Sequence, residues 1–139
     1  MKKVLIICTS NSCRSQMAEG LVNHFLVDTW RAFSAGIAAS HVNKHAIEVM
    51  REIDIDISQQ RSKSIQELDD NVKFDLIVTV CDDASKQCPN LQINTEQIHL
   101  GFIDPVKYDN HPVEDALFHF RTVRDDIHLK LIEYLSSCY

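Results

Sequence analysis

Residues Lys2 to Gly20 read KKVLIICTSNSCRSQMAEG. The apolar, β-branched run Val4 to Ile7 has the character of a buried strand. A polar loop follows from Cys8 to Arg14, and a helix-forming segment begins at about Ser15. Cys8 and Arg14 stand in a C-x5-R spacing. A loop of that length, ending on a helix N-terminus, can turn successive backbone N–H groups inward as a nest for a tetrahedral oxyanion. The same partial positive charge favours a thiolate beside the nest, and Arg14 adds a planar fork suited to two anion oxygens. A thiol nucleophile and an oxyanion cradle therefore share one loop.

Working outward, Ser15 to about Val27 carries Met17, Leu21 and Phe25 at helical spacing. Trp30 to Ser34 reads as a short strand closed by Ser34-Ala35-Gly36, and Asn43 to about Ile53 as a second helix. Ile55 and Ile57 alternate with acids in a brief extended piece, and Ile65 to Leu68 suggests a short helix. Phe74 to Val80 is a second buried strand, ending at Cys81. Gln97 to Phe102 is a weaker strand running into Asp104-Pro105. Leu117, Phe120, Val123, Ile127, Leu131 and Leu135 mark a C-terminal helix from about Val113. Helices alternating with continuous apolar strands imply an α/β fold, a four-stranded parallel sheet between helical layers. Ligands of such sheets bind outside the carboxyl ends of the strands, so the Cys8 loop, the Cys81 loop and Asp104 should converge on one edge.

Bulk properties narrow the function. The 139 residues suit a single domain, 1–139, and 45% hydrophobic with 24% charged residues is ordinary globular composition. A net charge of −6 gives no global case for nucleic acid or an anionic membrane as partner. The apolar run after Lys2-Lys3 is too short for a signal-peptide core or a membrane span, so a cytoplasmic location is expected. Five cysteines, an odd count, argue against a disulfide scaffold and for catalytic or metal-binding thiols. Zinc sites favour C-x2–4-C pairs. The C-x6-C of Cys81 and Cys88 fits that poorly, and no histidine pair stands beside these thiols, so no metal is expected.

Four segments resemble one family. They are CTSNSCRSQMAEG from Cys8, VTVCDDASKQCP with Cys81 and Cys88, HLGFIDP ending at Asp104-Pro105, and FRTVRDDI from Phe120. In that order they resemble the low-molecular-weight tyrosine phosphatase superfold, and within it the thioredoxin-coupled arsenate reductases. The resemblance implies Cys8 as nucleophile, and an oxyanion cradle of Ser10, Asn11, Ser12, Cys13, Arg14 and Ser15. It also implies Asp104 as the acid that protonates the leaving oxygen. Asn11 and Ser15 would hold the loop and donate to the thiolate, unless they serve only as turn and cap residues. The Cys13 side chain is expected to point away from the anion and to pack; Cys138 has no expected role.

Cys81 and Cys88 separate two chemistries. A phosphatase needs one cysteine and water, whereas a reductase must supply two electrons and so a second thiol. The resemblance implies arsenate as substrate, a relay from Cys8 to Cys81 to Cys88, thioredoxin as reductant, a monomer and no cofactor. A phosphotyrosine phosphatase of the same fold and a non-catalytic oxyanion or arsenic sensor are the alternatives. If Cys81 to Cys88 were helical, their Cα atoms would lie roughly 10 Å apart, against about 4.4–6.8 Å for a disulfide. The segment is therefore expected to unwind on oxidation, with Pro89 and Asn90 as a hinge.

The chain departs from the family pattern at four positions. Ser10 replaces a usual glycine, which implies a strained backbone there. Leu100 stands where a tryptophan is common and Ile103 where an acid is common. Some members bind potassium beside the loop through an acidic residue; Lys63 occupies that position here, and its ammonium is expected to take the cation's place.

Overall fold

The computed structural model describes residues 1–69, 71–81 and 95–138. Four strands, β1 (Lys2–Cys8), β2 (Trp30–Gly36), β3 (Leu76–Thr79) and β4 (Glu96–His99), form one sheet in the order β2-β1-β3-β4. Every pairing is parallel, with Cys8 opposite Gly36 and Ile7 opposite Thr79. Val4 to Cys8 and Leu76 to Thr79 are buried throughout, so the central strands are covered on both faces, as their unbroken apolar runs require. This is the α/β architecture expected.

Helix α1 (Arg14–Phe25) begins one residue earlier than its apolar periodicity suggests, and α2 (Lys44–Arg51) is capped by Asn43. The Asn43 side chain accepts from the His45 and Ala46 amides, the usual satisfaction of orphan N–H groups at a helix start. Near the C-terminus, α3 (Val113–Ile127) does not run on as one α-helix. A π-helical turn at His128–Ile132 separates it from α4 (Glu133–Ser136). The apolar positions survive the turn, with Ile127, Leu131 and Leu135 fully buried. β4 is shorter than expected, but the chain stays beside β3: Leu100 N donates to Thr79 O and Phe102 N to Val80 O.

The strand order explains where a site must form. From β1 the chain crosses to β2 on one side, then returns past β1 to β3 on the other. The carboxyl ends of β1 and β3 flank the switch point, where the departing connections open a crevice. Cys8 ends β1, and Cys81 follows β3 by two residues. Among the described residues no helix is long and apolar enough to cross a membrane.

Candidate active site

The crevice at the switch point is a cavity of about 420 Å³. Cys8, Thr9, Ser10, Cys13 and Arg14 line it from the first loop, and Cys81, Asp104 and Val106 face them. Cys8 and Arg14 from the first loop, Cys81 after β3 and Asp104 after β4 are thus brought together as the strand-end argument requires.

Cys8 is 2% exposed. Its sulfur receives the Asn11 amide at 3.2 Å and lies 2.8 Å from the Ser15 hydroxyl. Asn11 is the keystone of the loop. Its side-chain nitrogen donates to Ser15 Oγ at 2.7 Å, while its side-chain oxygen accepts from Lys63 N at 3.0 Å and Gln16 Nε2 at 2.9 Å. Asn11 also carries the positive φ of the loop, 51°. Ser10 does not, so the strain expected at Ser10 is absent and sits one residue later. Asn is among the residues that tolerate this region best, and four side-chain and backbone partners hold it there.

Arg14 spans the cleft. Nη1 donates to Phe102 O at 3.1 Å and Nη2 lies 3.4 Å from Asp104 Oδ2. Both fork ends therefore turn toward the Asp104 segment, and among the described residues the buried Nε has no hydrogen-bond partner. Asp104 is half exposed and caps the turn that follows by accepting from Val106 N at 3.0 Å.

A family model described as low molecular weight phosphotyrosine protein phosphatase matches residues 3–138. The chain belongs to that family. Among its relatives, the arsenate reductase of Halalkalibacterium halodurans is 48% identical over 91% of this chain and 89% of its own. That of Bacillus subtilis is 42% identical over 98% and 96%. A solved structure titled an arsenate reductase in the phosphate binding state superposes with a TM-score of 0.80 at 32% identity, covering 99% of this chain and 98% of the other.

Within this phosphatase-family loop the structure corrects one expectation. The Cys13 side chain does not turn away from the cleft: it lines the cavity, with its sulfur 3.9 Å from Asp104 Oδ1. It is nevertheless a poor nucleophile. Burial, then the nearby Asp104 and Cys8 charges, push its thiol far above the ordinary cysteine range, which leaves almost no thiolate.

Three contributors escaped the sequence reading. Thr9 Oγ1 lies 3.1 Å from Cys81 Sγ and so holds the second thiol at the cavity wall. Gly36 lets β2 approach the loop: a Cβ there would stand 2.7 Å from Asn11 N and 2.9 Å from both Ser10 C and Thr9 O. Gln16, fully buried, donates to Asn11 and accepts from Gln60 at 2.7 Å. The end of β2 at Gly36 was legible; its contact with the loop was not. Cys88, Pro89 and Asn90, and with them the expected unwinding, lie outside the described residues.

Proposed function

We propose that this protein reduces arsenate to arsenite with three thiols in relay, Cys8, Cys81 and Cys88, and that a thioredoxin-type dithiol protein reduces the resulting disulfide. The observation that carries the proposal is the Cys81 sulfur, in the wall of the Cys8 cavity and hydrogen-bonded to Thr9. A phosphatase has no use for a second thiol at that place. The relatives named arsenate reductase support the same reading.

The steps follow from thiol chemistry. The Cys8 thiolate attacks arsenic, an As–O bond breaks, and Asp104 in its acid form gives the departing oxygen a proton, so that water leaves. Loop amides, and the Arg14 Nε–H that has no partner among the described residues, would receive the remaining oxygens. The Cys81 thiolate then attacks Cys8 Sγ. The S–As bond breaks with its electron pair staying on arsenic, so As(V) becomes As(III) and a Cys8–Cys81 disulfide forms. The Cys88 thiolate attacks Cys81, which releases the Cys8 thiolate and leaves Cys81–Cys88. An external dithiol supplies the next two electrons.

The phosphatase reading keeps Cys8, Arg14 and Asp104. The Cys8 cavity itself is lined mainly by small polar and thiol side chains, with Val106 its aliphatic contributor among the described residues. Phe102 and Ile103 line the adjoining space beyond Arg14, Cys81 and Asp104, and a small inorganic anion needs only the cradle. A sensor reading has no need of an acid at Asp104.

The potassium site of some relatives does not fit this donor set. Lys63 Nζ stands 3.9 Å from Glu19 Oε1 and donates to Arg61 O at 3.2 Å, so an ammonium stands where those relatives carry the acid, and it faces the Glu19 carboxyl. We assign that ammonium the cation's role, in a monomeric cytoplasmic enzyme that needs no cofactor.

The test is arsenate-dependent NADPH oxidation in the presence of thioredoxin and its reductase. The wild type should turn over, and Cys88→Ser should lose turnover while still releasing one arsenite per chain. Turnover unchanged by Cys88→Ser, or strongly and specifically raised by potassium, would contradict the respective assignment.

A further inference from the structure

The turn that carries Asp104 is held at its far end by a cluster that the chemistry above does not use. Asp104 caps a 3-10 turn, Pro105–Tyr108, and Asp109 closes it, with Asp109 N donating to Val106 O at 2.9 Å. The Asp109 carboxylate lies at the N-terminal end of α2. Asn43 Nδ2 donates to its two oxygens at 3.1 and 3.3 Å, and His45 Nδ1 is 2.7 Å from Oδ1. A carboxylate only accepts, so the His45 proton sits on Nδ1. Asn43 and His45 are both buried, 3% and 7% exposed, and His45 packs on Phe120 of α3. Asn43 N also donates to Ser12 O at 2.9 Å, so the residue that grips Asp109 is fastened to the oxyanion loop itself. Tyr108 stacks on His119 with ring centroids 3.4 Å apart.

By contrast, Asp104 is half exposed, and its own tethers are the Val106 amide, the 3.4 Å approach of Arg14 and the long Cys13 contact. An acid must stay within hydrogen-bond reach of the oxygen it protonates, and a displacement of about 1 Å can cost on the order of a hundredfold in rate. We propose that Asp109, gripped by Asn43 and His45, is a positioning residue that fixes the distance between the Asp104 carboxyl and the oxyanion loop. Charge-assisted hydrogen bonds from two buried side chains to one carboxylate suit that task because they are short and directional. The inference rests on Asp104 being the acid.

The test is a double-mutant cycle on single-turnover arsenite release from the fully reduced protein, so that no reductant enters. Asp104→Asn should lower the saturating rate by about a hundredfold. Asp109→Ala should lower it about tenfold with the half-saturating arsenate concentration within about threefold of wild type. In the Asp104→Asn background, Asp109→Ala should change the rate by less than about twofold. His45→Leu should follow Asp109→Ala in both backgrounds, and it carries the test if Asp109→Ala does not fold. Asp109→Asn, which keeps an acceptor oxygen for His45 and Asn43, should restore most of the rate. Wild-type rates in Asp109→Ala and His45→Leu, or losses that multiply with Asp104→Asn, would overturn the positioning role alone. A wild-type rate in Asp104→Asn would overturn the acid assignment, and the positioning role with it.

Discussion

Ser15 Oγ stands 2.8 Å from Cys8 Sγ, and the direction of that hydrogen bond is set from outside the pair. The Lys63 backbone N–H can only donate, so the Asn11 atom facing it is the oxygen. The Asn11 nitrogen then faces Ser15 Oγ, which must accept from it. The one hydroxyl proton of Ser15 is left to point at Cys8. With the Asn11 amide also donating, the sulfur receives one N–H and one O–H donor, both aimed at the atom that attacks.

Removing that donor should weaken the nucleophile. A hydrogen bond to a charged group is worth about 1.5–3 kcal/mol, so Ser15→Ala should slow alkylation of Cys8 by iodoacetamide at neutral pH by roughly tenfold or more. The Cys8-containing peptide, quantified by mass spectrometry, gives the rate. An unchanged rate would mean that the proton points elsewhere.

Thr9 acts on the other thiol. Thr9→Val is close to isosteric and deletes the 3.1 Å contact with Cys81. Binding of phosphate, a tetrahedral anion like arsenate, should stay within about twofold of wild type, because loop amides and Arg14 are untouched. Arsenite release in a single turnover should slow by about fivefold, the scale of a net hydrogen bond of roughly 1 kcal/mol. Equal losses in both measurements would place Thr9 in the anion cradle instead.

Gly36→Ala probes the seam between β2 and the loop. The added methyl would fall within 3.0 Å of three backbone atoms of Thr9, Ser10 and Asn11, and backbone cannot swing aside as a flexible side chain can. Such overpacking costs about 1–3 kcal/mol, and here it would move the atoms that hold the anion. Calorimetry with phosphate at a temperature where the variant is folded should show affinity reduced at least tenfold. Retained affinity would show that the loop can yield without losing its shape.

Glu19 supplies a pH signature. Burial raises its pKa above the ordinary 4.5, partly offset by the Ser34 hydroxyl and by Lys63. A carboxyl whose folded-state pKa is raised contributes stability below its unfolded value, and that contribution is lost as pH rises through the folded value. Glu19→Gln removes the loss. Urea titrations should therefore show the variant gaining on the wild type as pH rises from about 4 to 7. A difference that is flat with pH, or of opposite sign, would contradict the assigned shift.

Much of this was legible in the residues alone, for a physical reason. The β1 run, the C-x5-R spacing and the Asp104-Pro105 turn are local patterns, and parallel-sheet topology then forces their convergence. What escaped depends on contacts between distant segments. Thr9 reads as an ordinary loop residue until β3 delivers Cys81 to it, and Gly36 as a strand terminator until the loop passes over it. Cys13 was misread for a related reason. Thiols pack by default, and only the fold shows that its packing place is a cavity wall beside Asp104. The misplaced strain has a separate cause: the family glycine drew attention to Ser10, whereas the side-chain network selects Asn11 for the left-handed position.

The central claim is that arsenate is reduced by thiols of this chain, and one measurement meets it directly. The reduced protein is mixed with one equivalent of arsenate, acid-quenched, alkylated and mapped by mass spectrometry. The relay predicts one arsenite released per chain, a Cys81–Cys88 disulfide, and Cys8 recovered as an alkylated thiol. Intact arsenate with all thiols free, or arsenite formed with Cys81 and Cys88 both still reduced, would contradict it.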